Sequence, residues 1–215
     1  MGLFGKKEPC PVCGGEVKGL FNKKISGKKT LCKDCSGQIS MHEELLKTAT
    51  PEFISEHLEY RRKNAEKYNA LRWDKEFNAR GLRMGVDPGA GFLYLSHTDM
   101  DDQDNPVVFS FDQFTHYELY RLKKKMDDSD TPGDTPLESA LSLFAGISKI
   151  ANDKSSLDYF RLVLTTSDPY WPEIEIKINF DSPDDVYGFS GFGNDLKMMC
   201  QVFKHAVRKE QVVLF

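Results

Sequence analysis

Apolar residues recur along this chain with two different periods, and the change between them marks its main division. From Leu82 onward the spacing is two: Phe92–His97, Val107–Phe111, His116–Lys123 and Leu157–Thr166 read as strands. Ile174-Glu-Ile-Lys-Ile-Asn-Phe180 alternates apolar and polar residues without a break, as an antiparallel strand buried on one face does. Asp87-Pro-Gly89 and Asp101–Asn105 supply turns between these runs. Over residues 50–79 the period is helical instead, with Phe53, Ile54, His57, Leu58, Arg61, Ala65, Tyr68 and Leu71 on one stripe. Thr50 is placed to cap this helix, Pro51 suits its first position, Glu52 complements its dipole, and Gly81 punctuates its end.

Two further helices are expected within and after the β-rich run. Thr135-Pro-Leu-Glu138 has the form of a capping box and opens an amphipathic segment burying Leu137, Leu141, Phe144, Ile147 and Ala151. A last helix, starting near Asn194 or Asp195, carries Leu196, Met199, Cys200, Phe203, Ala206 and Val207 on one face. Six or seven antiparallel strands in two packed sheets leave one end open, and an amphipathic C-terminal helix can plug it. The expected fold class is α+β. It has a small cysteine-bearing module over residues 1–48, a connector helix over 49–81, and over 82–215 a two-sheet β domain with an inserted helix and a C-terminal capping helix.

The candidate chemistry lies near the N-terminus. Cys10-Pro-Val-Cys13 and Cys32-Lys-Asp-Cys35 are two Cys-x-x-Cys knuckles separated by eighteen residues, the spacing of a four-thiolate structural zinc site. Gly14-Gly15 after the first pair lets backbone N–H groups turn toward sulfur, and Gly27 marks a hairpin turn in Lys24-Ile-Ser-Gly-Lys-Lys-Thr30. A module of about 48 residues is too small to be held by its own core, so metal has to supply folding energy. The expected ligands are Cys10, Cys13, Cys32 and Cys35, with Zn2+ as a structural cofactor. Four thiolates alone do not separate zinc from iron. The competing reading, a redox dithiol, takes one such motif near a βαβ unit rather than two.

Composition narrows the function classes. A chain of 215 residues, 40% hydrophobic and 29% charged, is globular and can bury one core. A formal charge of -4 and a pI of 5.8 argue against a nucleic-acid footprint over the whole chain. The charge is uneven, however. Residues 1–35 hold eight lysines against three acidic side chains, a net +5, which a zinc tetrathiolate brings to about +3. Acidic residues gather instead at Asp99–Asp104 and Asp127–Asp134. Lys23, Lys24, Lys28, Lys29 and Lys33 make nucleic-acid contact an alternative, weakened by Phe21 being the only aromatic nearby. The N-terminus lacks the apolar stretch of a signal peptide, and Lys6 stands where a myristoylation signal has Ser or Thr. No run approaches the roughly 18 apolar residues of a membrane span. The expected setting is a reducing cytoplasm, where paired Cys-x-x-Cys motifs hold metal rather than disulfides.

The remaining motifs point to no reaction. Asp99-Met-Asp-Asp-Gln-Asp104 lacks the glycine and glutamate of a calcium loop and reads as a solvated hairpin tip. Gly188-Phe-Ser-Gly-Phe-Gly193 and Gly89-Ala-Gly91 match neither phosphate-binding fingerprint. The histidines (42, 57, 97, 116 and 205) have no ligand spacing, although His97 and His116 could meet on neighbouring strands beside Asp99. Cys200 sits on an apolar helix face as a small hydrophobe, and no nucleophile elbow is present. A non-enzymatic protein is expected.

The leader Gly-Leu-Phe-Gly-Lys-Lys, Cys10-Pro-Val-Cys-Gly14 and Leu31-Cys-Lys-Asp-Cys35 together resemble a family of uncharacterised bacterial proteins. Those proteins open with a four-cysteine zinc-binding domain of unknown function, and in many a pleckstrin-homology-like sheet follows. Val107-Val-Phe-Ser-Phe-Asp-Gln-Phe-Thr-His-Tyr-Glu-Leu119 is similar to a strand of that sheet. Relatives carry a glycine-rich apolar stretch where this chain has its amphipathic segment at 136–151, so a membrane-proximal role for that stretch does not carry over. The resemblance implies zinc and a fold but assigns no reaction or ligand. The function expected is that of a zinc-binding adaptor engaging a protein or peptide. The alternatives are nucleic-acid binding through residues 1–35 and anionic-lipid binding by the β domain, which its acidic balance disfavours.

Overall fold

The computed structural model describes residues 9–18, 22–100, 102, 104–123, 158–179 and 192–210. Three helices come first: α1 (Lys33–Gly37), α2 (Glu43–Thr48) and α3 (Pro51–Ala70). Four strands then form one antiparallel sheet in sequence order: β1 (Lys75–Ala79), β2 (Leu82–Asp87), β3 (Phe92–Ser96) and β4 (Val107–Ser110). A second antiparallel sheet is made of β5 (Phe114–Lys123), β6 (Asp158–Thr166) and β7 (Glu173–Asn179), and α4 (Phe192–Arg208) closes the described chain. The amphipathic segment at 135–151 and most of the glycine run at 188–193 lie outside the described residues.

The alternating segments pair as their pattern demands. Ile174, Ile176 and Ile178 of β7 sit opposite Leu164, Leu162 and Phe160 of β6, and all six are buried. Glu175 and Lys177, on the other face, are exposed. Phe109 at the end of β4, Phe114 at the start of β5 and Phe203 of α4 stack in series, with ring centroids 5.5 and 5.6 Å apart. One hydrophobic cluster thus joins both sheets to α4, whose Leu196, Met199, Cys200, Phe203 and Ala206 point inward. Asp195 of α4 also accepts from the Asn78 N–H at 3.0 Å, covering part of the outer edge of β1.

The helix expected over residues 50–79 is shorter than its sequence pattern suggested. The start is as read, with Thr50 accepting from the Phe53 N–H at 3.2 Å and Pro51 in first position. The helix stops at Ala70, and residues 75–79 form β1. Ala79 pairs directly with Leu82 across Arg80-Gly81, both at positive φ (50° and 88°), the conformation of a two-residue hairpin turn. Gly81 therefore turns a hairpin rather than ending a helix.

α3 is also more than a connector, because its buried stripe carries polar side chains that fasten it to both sheets. At its N-terminal end Phe53, His57 and Tyr60 pack tilted or edge-on against Tyr170 in the β6–β7 hairpin, with ring centroids at 5.4, 4.5 and 4.7 Å. Midway, Arg61 donates to the Asp102 carbonyl at 2.9 Å and to that of Asn105, while Asn64 Nδ2 donates to Pro106 O at 2.7 Å. The Val108 N–H of β4 donates to Asn64 Oδ1 at 2.8 Å. At the C-terminal end Tyr68 packs with Trp73 and with Tyr94 of β3, whose ring lies flat over Gly85 of β2. The acidic stretch at 99–104, read as a solvated hairpin tip, is solvated only in part: Asp99 and Asp104 are exposed. Met100 and Asp102 are buried, the Asp102 carbonyl accepting from Arg61 and that of Met100 from Ser40.

Candidate metal centre

Each cysteine pair is set by local backbone geometry. After Cys10 the chain turns back on itself: Gly14 N–H donates to Cys10 O and Cys10 N–H to Gly15 O, both at 2.8 Å, with Gly14 at φ +72°. Gly15 N–H then points at Cys13 Sγ from 3.4 Å, and a side chain at Gly15 would press its Cβ within 3.2 Å of that sulfur. In the second pair Cys32 caps α1, its Sγ accepting from the Cys35 N–H at 3.4 Å. Between the pairs Lys24 and Thr30 bridge across a turn in which Gly27 takes φ +67°, as its position predicted.

These turns bring all four sulfurs within 4.8 Å of one another, with Cys13 and Cys32 at 3.5 Å. A tetrahedral zinc with bonds of about 2.3 Å sets its sulfurs about 3.8 Å apart, so the cluster fits such an ion with little adjustment. No pair is cross-linked; a disulfide would bring two sulfurs to about 2.05 Å. Cys10, Cys32 and Cys35 are buried and Cys13 is exposed.

The electrostatics suit a cation. Burial works to raise the Cys10 thiol, but backbone N–H groups of Cys13, Cys32 and Val12 outweigh it and bring the pKa down to about 6. Cys35 goes the other way, raised first by burial and then by the Cys32 and Cys13 thiols beside it. Four thiols crowded together resist losing all their protons, and a divalent ion removes that penalty.

The other candidate residues disperse. His97 directly follows β3 and lies 3.3 Å from Asp99, whereas His116 lies in β5, in the other sheet, 3.2 Å from Glu118. The two histidines do not form a joint site. Cys200 is buried and its thiol is pushed up to about 12 by burial, the behaviour of a packing residue. A cleft of about 330 Å³ lies between Gly91, Ser110, Asp112 and the end of α4. Lys209 in its wall donates to the carbonyls of Asp112 and Phe114, at 2.8 and 3.1 Å. Of the lysines near the cysteines, Lys28, Lys29 and Lys33 are exposed, while Lys23 Nζ donates to Ile39 O at 2.7 Å.

What spacing did not reveal is the junction beside the cluster. Ser40 uses every polar group it has: its N–H donates to His57 Nε2 at 3.2 Å, its hydroxyl to Met100 O at 2.7 Å, and its carbonyl accepts from Trp171 Nε1 at 3.1 Å. Two residues on, the His42 N–H donates to Tyr170 O at 2.9 Å. Asp168, 2% exposed, holds the hairpin that presents Tyr170 and Trp171. Its Oδ1 accepts from both their N–H groups at 2.9 and 3.1 Å, and its Oδ2 from Tyr60 at 3.0 Å and Gln113 at 3.2 Å. The only trace of this in sequence was the presence of His57 and Arg61 on an otherwise apolar helical stripe.

Residues 8–57 match the family described as a domain of unknown function, DUF4428. The matched stretch contains all four cysteines, Ser40 and His57, and so runs past residue 48 into α3. No curated protein and no solved structure matches the chain. Among the described residues, no helix is long and apolar enough to cross a membrane.

Proposed function

We propose that this chain is a zinc-dependent, non-catalytic binding protein of a reducing cytoplasm. Cys10, Cys13, Cys32 and Cys35 hold one structural Zn2+, and the module they organise is seated on a pleckstrin-homology-like body that engages a protein or peptide. The observation that carries the zinc assignment is the convergence of four uncrosslinked sulfurs within 4.8 Å of one another, with N–H donors from the local turns on Cys13 and Cys32. Zinc is favoured by the all-sulfur donor set and a paired-knuckle spacing that closes the coordination sphere with protein ligands, leaving no open position for chemistry. The pleckstrin-homology-like reading is supported, among the described residues, by seven antiparallel strands in sheets of four and three followed by a packed helix.

A protein partner is preferred to nucleic acid because the lysines near the cluster are interspersed with acid. Lys18 pairs with Glu16, and α2 adds Glu43 and Glu44, both paired with Lys47. Metal analysis of the purified chain tests the first half of the proposal. The expectation is one zinc per chain in a four-sulfur shell by X-ray absorption. A shell with fewer than four sulfurs overturns it. For the second half, crosslinking and recovery from cells should enrich a protein partner. Salt-sensitive retention on single-stranded nucleic acid with no protein enriched would reverse that choice.

A further inference from the structure

We propose that metal loading at the four-cysteine cluster closes a latch at Ser40, and that the latch sets how α3 and the β6–β7 hairpin seat on the body. The inference rests on the zinc reading above and adds a regulatory consequence to it.

The mechanical path is short. Cys35 lies within α1, and the chain leaves that helix at Gly37 to reach Ser40 three residues later. The hairpin between the cysteine pairs grips the same stretch, Lys23 N–H donating to Ser36 Oγ at 3.1 Å and Lys23 Nζ to Ile39 O at 2.7 Å. Ser40 is therefore positioned by the turns that place the sulfurs. Its three hydrogen bonds go to three separate parts of the molecule: His57 of α3, the β3–β4 connection at Met100, and Trp171 of the β6–β7 hairpin. Ser40, His57 and Trp171 are all buried. Displacing Ser40 takes its carbonyl away from the Trp171 indole N–H, a buried donor that then has to find water.

Without metal, each knuckle keeps its own backbone bonds, but the two are joined through sulfur by weak contacts such as Cys13–Cys32 at 3.5 Å. Small thiolate modules held by such contacts lose order when the ion leaves. Loss of order in α1 and residues 38–42 would release the Ser40 bonds and the His42–Tyr170 bond together. The hairpin, Tyr170 and the N-terminal half of α3 would then loosen as one unit, a local opening rather than global unfolding. A partner surface on that hairpin or on α3 would thereby become metal-responsive.

The test uses the full chain carrying Trp73→Phe, so that Trp171 is the one remaining indole. It is loaded with Co2+ or Zn2+ and then stripped with EDTA. The expected result is the ligand-field spectrum of tetrahedral cobalt thiolate, with buried-type Trp171 emission when loaded. On stripping, the emission should shift to the red with a severalfold rise in acrylamide quenching, reversed by Zn2+. Ser40→Ala leaves all four thiols and both backbone bonds of residue 40 in place and removes only the bond to Met100 O, so it should keep the cobalt spectrum and move Trp171 emission of the loaded protein by far less than stripping does. A normal cobalt thiolate spectrum with Trp171 emission and quenching identical in loaded and stripped protein overturns the latch but leaves the zinc reading standing. Absence of any cobalt thiolate spectrum removes both.

Discussion

Replacing Asp168 by alanine should cost the fold several hydrogen bonds at once. The carboxylate is almost wholly inaccessible and accepts from Tyr170 N, Trp171 N, Tyr60 OH and Gln113 Nε2. It binds the β6–β7 hairpin to itself, to α3 and to the β4–β5 connection. Burial and the Asp168 charge both push the Tyr60 phenol well above its ordinary pKa, which keeps it a donor around neutral pH. A hydrogen bond to a charged group contributes about 1.5–3 kcal/mol, and a buried donor left without a partner costs about 1–3 kcal/mol. Four such bonds sharing one side chain are not additive, and water entering the space left behind recovers part of the loss. A net destabilisation of about 4 kcal/mol follows, which for a chain of this size corresponds to a fall in Tm of about 10 °C. Asp168→Asn, which retains an acceptor for the two backbone N–H groups, should lose roughly half as much. Urea denaturation of zinc-loaded protein, read through the urea midpoint at constant m-value, measures both. A loss below about 1 kcal/mol for Asp168→Ala would show that the hairpin is held by packing alone and refute the argument.

Other outcomes are as specific. Cys32→Ser should abolish stoichiometric zinc binding while keeping an N-cap for α1, whereas Cys200→Ser should leave metal content unchanged; elemental analysis distinguishes them. His57, buried and beside the charges of Arg61 and Lys23, has its pKa lowered from 6.5 to about 3 by burial first and by those charges second. Because the unfolded chain takes up this proton and the folded chain does not, the His57 contribution is fully present above about pH 6.5. It is lost as the pH falls toward 3, at up to about 1.4 kcal/mol per pH unit. A series of urea midpoints against pH should show that slope in the native protein and a shallower one in His57→Phe, and equal slopes would contradict the assignment. Gly85→Ala would place a Cβ 2.1 Å from Tyr94 Cε1. It should destabilise by about 1–3 kcal/mol and alter near-UV circular dichroism as Tyr94 is driven against Trp73 and Tyr68.

Much of the architecture was legible in residue order because the interactions behind it are local. Helical and strand periods, the Thr50–Pro51 start of α3, the Gly27 turn and the glycines behind Cys13 each depend on residues a few positions apart. For the same reason two Cys-x-x-Cys turns could be identified as a cluster before their distances were known. Even so, a helical reading ran past Ala70, because Phe77 and Ala79 fit either period until Arg80-Gly81 is seen to pair Ala79 with Leu82.

What only the tertiary structure decided is where buried polar groups meet. Trp171 and Ser40 are 131 residues apart, and Tyr60 and Asp168 are 108 apart. No periodicity encodes such a pairing, since any buried donor has to find an acceptor and sequence does not say which one. The cysteines were thus determined by spacing, and their connection to the rest of the molecule by packing. That packing turned α3 from an expected connector into a strut between two sheets and made Ser40 the point at which the cysteine module meets the body.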